Sequence, residues 1–223
     1  MLRPAENRER LCWRAWPCHE CGKGLSPVSH LIGCIDSDKS VRTDSFEVRC
    51  KKQVGWLQRW VGECPHIGEH VLSLTKVGEG SEHRVYADDA RAKVYKATLR
   101  NVYGDWYFLD ENNLVHQASC TPIDYLIRLH IWDKLFGSFP TALGITEAGQ
   151  IVSIQDFIQG AEPTQEAVDA FLESANLTPV KKSRWLWKRD YPEISVWVGD
   201  ARCDNFVTTE AGIAPIDIRL WFT

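Results

Sequence analysis

The clearest pattern along the chain is the helical repeat of apolar residues in TPIDYLIRLHIWDKLFG. Thr121 is placed to cap this helix, Pro122 suits its first position and Gly137 ends it. Similar spacing predicts three further helices. They lie in KKQVGWLQRWVGE, in TQEAVDAFLESANL, whose cap is Thr164, and around residues 182–190.

Strand patterns lie before and after the capped helix. VLSLTKVGEG and SEHRVYADD predict two strands joined by a glycine-containing turn, and ARAKVYKATL predicts a third. GDWYFLDENN is expected to form a hairpin or an insertion, ALGITEAGQIVSIQDFI two strands, and NFVTTEAGIAPIDIRL a closing hairpin that turns at TEAG. This order of elements predicts an α+β fold with mostly antiparallel pairing.

The first third of the chain differs in composition, because six of the eight cysteines lie there. Cys18 and Cys21 have the spacing of half a zinc knuckle, but only single cysteines follow. Reduced, partly buried thiols are therefore favoured over a structural Zn²⁺ ion. We divide the chain into a cysteine-rich segment at residues 1–65 and a domain at residues 66–223.

Charge and hydropathy exclude some partners. The net charge of −4 gives no general attraction to nucleic acid or to an anionic membrane. No apolar run reaches the roughly 18 residues of a membrane span. The start, MLRPAENRERLCWRAW, lacks the apolar core of a secretory signal. The sequence therefore predicts a cytoplasmic protein without a membrane partner and without a strong nucleic-acid signal.

The turn between the first two predicted strands is a candidate phosphate site. Gly78 and Gly80 would let backbone N–H groups approach a phosphate without interference from a Cβ atom. Together with Val85 they fit the spacing of a kinase glycine-rich loop, in which His83 takes the place of the third glycine. A Gly-x-Gly hairpin turn alone is more often only a turn.

The third predicted strand offers two lysines for the phosphates of a nucleotide. Lys93 and Lys96 are three residues apart, so their side chains point to opposite faces of the strand. The residue two before Lys96 is Val94, which suits packing against a base, whereas the residue two before Lys93 is Arg91. We therefore select Lys96; the alternative is that both lysines are solvated.

An acid on the following helix could orient that lysine, and Asp124 is the best-placed candidate. Asp124 also lies three residues after Thr121, which is the spacing of a capping box. The sequence leaves both roles open.

The end of the chain holds a further candidate set. Asp200 and Asn205 have the D-x-x-x-x-N spacing of a kinase catalytic loop, and Asp217 follows the predicted hairpin. Such a loop places a base at its start and an amide metal ligand at its end, and the hairpin returns an acid that can hold Mg²⁺. Arg202 lies two residues after Asp200, where a cation can neutralise a transferring phosphoryl group.

These motifs, in this order, resemble the protein-kinase-like superfamily, and more narrowly the small Ser/Thr/Tyr-kinase-like domains in polyvalent proteins of phages and other mobile elements. The motifs that carry the resemblance span about residues 68–223. The resemblance implies a two-lobed fold with an antiparallel first-lobe sheet. Since the chain stops six residues after Asp217, it also implies a truncated, mainly helical second lobe.

The resemblance further implies a role for each candidate residue. The residues that would bind ATP are Gly78, Gly80, Val85, Val94, Lys96, Asp124, Gln155 and Phe157. The residues that would serve catalysis are Asp200 as the base, Arg202, which would offset charge, and Lys96, which would contact the α- and β-phosphates and be oriented by Asp124. The residues that would hold Mg²⁺ are Asn205 and Asp217.

The implied function is a kinase that uses ATP and Mg²⁺ to phosphorylate a hydroxyl group of a protein or a small molecule. One alternative is a catalytically inactive kinase-like module that binds a nucleotide or a partner. Another is a small-molecule phosphotransferase, since Gly199-Asp200 resembles the Gly-Asp pair of those enzymes. The last is a chance match, in which the cysteine-rich segment carries the function.

Overall fold

We describe the protein from a computed structural model, which places residues 44–61, 67–110, 114–136, 140–181, 183–192 and 194–222. Cys18 and Cys21, and with them the zinc hypothesis, lie outside these residues. No helix in the described ranges is long and apolar enough to cross a membrane.

The described chain contains four α-helices, thirteen strands and one short 3₁₀ turn. The helices are α1 (Phe46–Val61), α2 (Ile67–Leu72), α3 (Pro122–Phe136) and α4 (Gln165–Ser174). The strands are β1 (Thr75–Glu79), β2 (His83–Asp88), β3 (Lys93–Thr98), β4 (Asp105–Leu109), β5 (Val115–Ser119), β6 (Thr141–Ile145), β7 (Ile151–Asp156), β8 (Thr178–Pro179), β9 (Trp187–Asp190), β10 (Ser195–Gly199), β11 (Phe206–Thr209), β12 (Gly212–Pro215) and β13 (Arg219–Phe222). The 3₁₀ turn is Cys203–Asn205.

The first of two compact units comprises the described residues of 44–103, 120–126 and 141–155. Its five-stranded sheet has the order β1-β2-β3-β7-β6. One face of this sheet forms an apolar core of Tyr86, Tyr95, Ala97 and Val152, against which Val71 of α2 packs. Because side chains alternate along a strand, the residues between these positions point to the opposite face.

Helix α1 is attached to this unit by side-chain amides. Gln53 is buried and accepts a hydrogen bond from the Ile123 N–H at 3.1 Å. Gln58 donates to the Glu147 carbonyl at 2.8 Å. Cys50 of the same helix is buried, and burial, helped by the charge of Asp124, raises the pKa of its thiol to about 11. This thiol is therefore protonated and unreactive at neutral pH.

The second unit comprises the described residues of 104–119, 127–140 and 156–222. It holds a four-stranded antiparallel sheet in the order β13-β10-β9-β8 and the hairpins β4–β5 and β11–β12. Its aromatic core centres on Trp197 and Trp221, whose rings stack at 6.2 Å, together with Leu186.

This architecture corrects the expected fold class. A protein-kinase-like fold with a mainly helical second lobe is wrong, because the described chain after residue 156 contains one ten-residue helix, α4, and six strands. Residues 182–190 were expected to be helical, yet Trp187–Asp190 is strand β9. The physical reason is the sequence that follows, SVWVG, which favours a strand and pairs in register with β9.

Other elements predicted from the sequence are confirmed. The structure contains the glycine hairpin β1–β2, the third strand β3, the capped helix α3, the strand pair β6–β7 and the closing hairpin β11–β12. Helix α4 begins as predicted, because the Thr164 hydroxyl accepts a hydrogen bond from the Ala167 N–H at 3.3 Å. The predicted antiparallel pairing also holds for the strand pairs named here.

Candidate functional site

Asp200 lies directly after strand β10 in a strained turn. Its backbone has φ of 57°, in the left-handed region that Gly, Asn and Asp adopt far more readily than other residues. Its side chain is 37% exposed. An accessible carboxylate on a strained backbone is a combination typical of functional positions.

Asn205 closes the turn that begins at Asp200. Its Nδ2 donates to the Asp200 carbonyl at 2.7 Å, and the Arg202 N–H donates to the same carbonyl at 2.8 Å. Because Asn205 is buried and its Nδ2 is committed, the amide is held in one orientation. The atom left for a ligand is the acceptor Oδ1.

Asp217 is joined to the same turn through the backbone of Asn205. The Asn205 carbonyl accepts hydrogen bonds from the Ile216 N–H at 2.8 Å and from the Asp217 N–H at 3.3 Å. The hairpin β11–β12 between them is antiparallel, and the side chain of Asp217 lies at the surface. Hydrogen bonds thus connect Asp200, Asn205 and Asp217, which we call the acid–amide cluster.

Arg202 forms an ion pair beside this cluster. Its Nε donates to Asp204 Oδ1 at 3.0 Å, Nη2 binds the other carboxylate oxygen, and Nε lies 3.7 Å from Asp200 Oδ1. These carboxylates raise the pKa of Arg202, with the hydrogen bond to Asp204 first among the causes. To meet a transferring phosphoryl group, the guanidinium would exchange Asp204 for phosphate oxygens.

Gln165, the first residue of α4, binds two backbone groups of this turn through its side-chain amide. Its Oε1 accepts from the Cys203 N–H at 3.0 Å, and its Nε2 donates to the Ala201 carbonyl at 3.0 Å. Asp169 Oδ1 accepts a second hydrogen bond from Nε2 at 2.8 Å, which fixes the amide. Sequence reasoning missed this residue, because a glutamine in the first turn of a capped helix carries no signal of what it faces.

Gln165→Ala should loosen this turn. Two backbone groups lose their partner, so we expect the free energy of unfolding to fall by about 1–2 kcal/mol and any activity that depends on Asp200 to fall with it. Urea unfolding of the variant measures the first effect. Gln117→Ala, which truncates an exposed glutamine of the same unit, is the matched control. Equal unfolding midpoints for both variants would contradict this role of the Gln165 side chain.

Of the two glycines predicted to form the turn, Gly80 lies in the β1–β2 turn, whereas Gly78 lies in strand β1 opposite Val85. The Gly80 N–H donates to the His83 carbonyl at 2.9 Å and closes the β1–β2 hairpin. A Cβ atom at Gly80 would meet nothing within 4 Å, and one at Gly78 would make only an ordinary contact with Val85 at 3.8 Å. Packing within the described residues therefore requires neither glycine, as expected if a ligand approaches this turn.

Lys96 occupies a position that is unusual for lysine. It lies on β3 directly opposite Val85 of β2 and is only 9% exposed. Val94, two residues earlier, shares its face, whereas Lys93 shares the face of Tyr95 in the apolar core. The structure therefore places Lys96 with Val94 and Val85 on one face of the sheet and Lys93 on the other, as strand alternation predicted.

A buried polar row lies on the face of the sheet that carries Lys96. His83 Nε2 and the Tyr125 hydroxyl of α3 are 3.0 Å apart, and that hydroxyl is 3.3 Å from Ser153 Oγ on β7. His83 is two residues from Val85 and therefore points to the Lys96 face. Sequence analysis noted His83 only as the residue in place of a third glycine; its buried polar role required the fold.

Asp124 forms the capping box that its spacing allowed. Asp124 Oδ2 accepts from the Thr121 N–H at 2.9 Å and from the Thr121 hydroxyl at 2.8 Å. The Asp124 N–H donates back to the Thr121 hydroxyl at 3.4 Å. The capping role is thus confirmed, and the lysine-orienting role stays a prediction.

The two residues predicted to meet a nucleotide base differ in exposure. Gln155 Oε1 is buried without a hydrogen-bond partner among the described residues. Gln155 is two residues from Ser153 on β7, so it points to the Lys96 face of the sheet. Phe157 follows the strand and is 59% exposed. An unpaired buried acceptor is costly, so a ligand that donates a hydrogen bond would stabilise Gln155.

The oxygen donors of the acid–amide cluster fit a Mg²⁺ ion of the nucleotide-bound kind. Within the described ranges, no group of three or more His, Cys, Asp or Glu side chains could hold a metal ion. Nucleotide-bound Mg²⁺ needs only one or two protein ligands, since phosphate oxygens and water complete its shell. Asn205 Oδ1 and the Asp217 carboxylate are donors of this type.

Comparisons with known proteins found no relative. No family model, no curated protein and no solved structure matches the chain. The acid–amide cluster and the Lys96 face are therefore the features of the molecule that bear on its function.

Proposed function

We propose that the protein transfers the γ-phosphoryl group of ATP to a hydroxyl acceptor in the presence of Mg²⁺. The observation that supports this most is the acid–amide cluster, in which the Asn205 side-chain amide binds the backbone carbonyl of Asp200 and the Asn205 carbonyl accepts from the backbone N–H of Asp217. Phosphoryl transfer needs mainly positioning and charge stabilisation from a protein, and this cluster supplies groups for both.

Each member of the cluster has a defined task in this proposal. The acceptor oxygen attacks the γ-phosphorus, the bond from that phosphorus to the β–γ bridging oxygen breaks, and ADP leaves. Asp200 orients the acceptor hydroxyl and receives its proton. Asn205 Oδ1 and the Asp217 carboxylate would hold Mg²⁺, which neutralises phosphate charge when bound.

The Lys96 face supplies the candidate nucleotide contacts. Lys96 is buried on the third strand, opposite the strand that follows the turn at Gly80. Val85 and Val94 lie on the same face and offer apolar contact to a base, and Gln155 offers an unpaired acceptor. This combination supports nucleotide binding by the first unit.

A second candidate function is nucleotide binding without transfer. Two charged groups that a transferase would use already have structural partners, since Arg202 is bound to Asp204 and Asp124 caps α3. A binding module would gain thermal stability with ATP and release no ADP. The gain grows as RT ln(1 + [L]/Kd).

Lys96→Met separates both candidates from a protein that does not bind nucleotide. If Lys96 binds phosphates, its loss removes a charged hydrogen bond worth about 1.5–3 kcal/mol, so ATP affinity should fall roughly 10- to 150-fold. Lys93→Met, on the opposite face, is the matched control and should keep wild-type affinity. Thermal unfolding at increasing ATP concentration measures affinity, and ADP release with and without Mg²⁺ measures turnover.

ADP release and stabilisation by ATP together distinguish the transferase from the binding module. ADP release that requires Mg²⁺ and disappears in Asp217→Ala supports the transferase. Stabilisation by ATP without ADP release supports the binding module. Absence of both effects in the wild-type protein would overturn the proposal.

A further inference from the structure

Residues 181–191, which we call the basic aromatic segment, differ in charge from the rest of the chain. Their sequence is KKSRWLWKRDY, with five Lys or Arg residues and one Asp, whereas the whole chain carries a net charge of −4. Two tryptophans and a tyrosine are interleaved with the cations. The net charge of the whole chain therefore does not reveal this local cluster of basic residues.

Two backbone hydrogen bonds lie at the start of this segment. The Val180 N–H donates to the Leu186 carbonyl at 2.8 Å, and the Ser183 N–H donates to the Val180 carbonyl at 2.9 Å. Lys181 and Arg184 are exposed. These two cations are therefore accessible to an anionic ligand.

Cations and aromatic rings are paired along the segment. The Arg184 guanidinium lies 4.5 Å from the centre of the Trp185 ring, and the Arg189 guanidinium lies 4.8 Å from the centre of the Tyr191 ring. Tyr191 is 39% exposed and Trp185 is half-buried. Aromatic rings beside positive charges are the parts from which single-strand binding surfaces are built.

Some of the positive charge is already neutralised. Lys188 pairs with Asp190 at 2.7 Å, and Arg189 donates to the Ala175 carbonyl at 3.1 Å. The pKa of Glu166 is lowered mainly by hydrogen bonds from its own N–H and from Thr164, and to a smaller extent by Arg184, so one acid lies near that cation. Lys181 and Arg184 are thus the exposed cations among the described residues of the segment.

We propose that the basic aromatic segment binds single-stranded nucleic acid. Phosphates would contact Lys181 and Arg184, and unpaired bases would stack on the rings of Trp185 and Tyr191. A duplex offers the charge but keeps its bases stacked, and an acidic peptide offers the charge without flat rings. The segment is also tied to the candidate site, because the Trp185 carbonyl accepts a hydrogen bond from the Ala201 N–H at 3.2 Å.

The test is fluorescence anisotropy of a labelled oligothymidylate of about 20 nucleotides with the full chain, without ATP or Mg²⁺. Lys181→Gln combined with Arg184→Gln should reduce the slope of log affinity against log salt by about 1.4. Tyr191→Ala should weaken binding at least about fivefold, whereas Tyr191→Phe, which keeps the ring, should bind like the wild type. Arg100→Gln removes an exposed charge elsewhere and should have no effect.

Two outcomes would overturn the inference. One is the absence of salt-dependent binding by the wild-type protein. The other combines two results: polyglutamate or a duplex of the same length competes as well as the unlabelled single strand, and Tyr191→Ala binds as tightly as the wild type. Together they would show a surface that binds any polyanion. Because neither ATP nor Mg²⁺ is present, neither outcome depends on whether the protein transfers phosphate.

Discussion

Replacing Asp200 with asparagine should reduce ATP-dependent phosphoryl transfer by about 10²- to 10⁴-fold, the contribution typical of a positioned general base. Asparagine also adopts the left-handed backbone that Asp200 has at φ of 57°, so the turn should persist. The hydrogen bonds from Asn205 and Arg202 go to the backbone carbonyl of Asp200 and are unaffected. The variant therefore removes the negative charge and little else.

Asp204→Asn is the matched control, because Asp204 lies in the same turn, is exposed and carries the same charge. This variant releases Arg202 from its ion pair and should keep most of the transfer activity. ADP release under saturating ATP gives the rates, and thermal unfolding with ATP shows that both variants still bind nucleotide. If Asp204→Asn loses as much activity as Asp200→Asn, the assignment of the base to Asp200 is wrong.

Gly160→Ala should destabilise the protein by about 3 kcal/mol. A Cβ atom at position 160 would lie 2.0 Å from the Thr208 carbonyl oxygen, which is backbone and cannot rotate away. That carbonyl accepts from the Ala161 N–H at 3.3 Å, and the Ala161 carbonyl accepts from the Thr208 N–H at 2.8 Å. The substitution therefore separates the chain before α4 from strand β11.

The midpoint of thermal unfolding should fall by roughly 6–12 °C for a domain of this size. Gly80→Ala is the control, since a Cβ atom there meets nothing within 4 Å and the midpoint should shift by less than about 2 °C. The Gly160→Ala change should also disturb Glu162, whose carboxylate accepts a hydrogen bond from the Cys203 thiol in the candidate turn. An unchanged midpoint for Gly160→Ala would mean that the close approach to Thr208 is absent in solution.

Elements with strong local signals could be predicted from the sequence. Helix α3 carries its own cap in Thr121 and Asp124, and the hairpin β1–β2 turns at Gly80, directly after β1. These signals act within a few residues and do not depend on the rest of the fold. The side on which Lys96 lies also followed from strand alternation alone.

The strands of the second unit could not be predicted in the same way. Strand β9 is short and contains Lys188, Arg189 and Asp190, so its own composition favours no particular element. It becomes a strand because β10 pairs with one of its edges and β8 with the other. Such pairing is a tertiary effect, which outweighs local propensity.

For the candidate site, spacing predicted the members of the acid–amide cluster but not their support. The D-x-x-x-x-N spacing selected Asp200 and Asn205, and the structure joins them directly. Gln165 is 38 residues away in sequence from the Cys203 N–H that it binds. No local sequence pattern connects residues over that distance, so the contact of Gln165 with the turn is visible only in the folded structure. The basic aromatic segment could not be recognised from net charge, because net charge is a sum over the whole chain.

The two hydrogen bonds accepted by the Asn205 carbonyl determine which spacings between site residues must keep their length and which can vary. The interval from Asp200 to Asn205 is a single closed turn, so one inserted residue would move the amide away from the Asp200 carbonyl. The interval from Asn205 to Asp217 spans a hairpin whose base is fixed at the Asn205 carbonyl and whose tip lies between Thr209 and Gly212. Residues added at that tip would leave the base unchanged. A sequence search for similar sites should therefore keep the first spacing fixed and let the second vary in length.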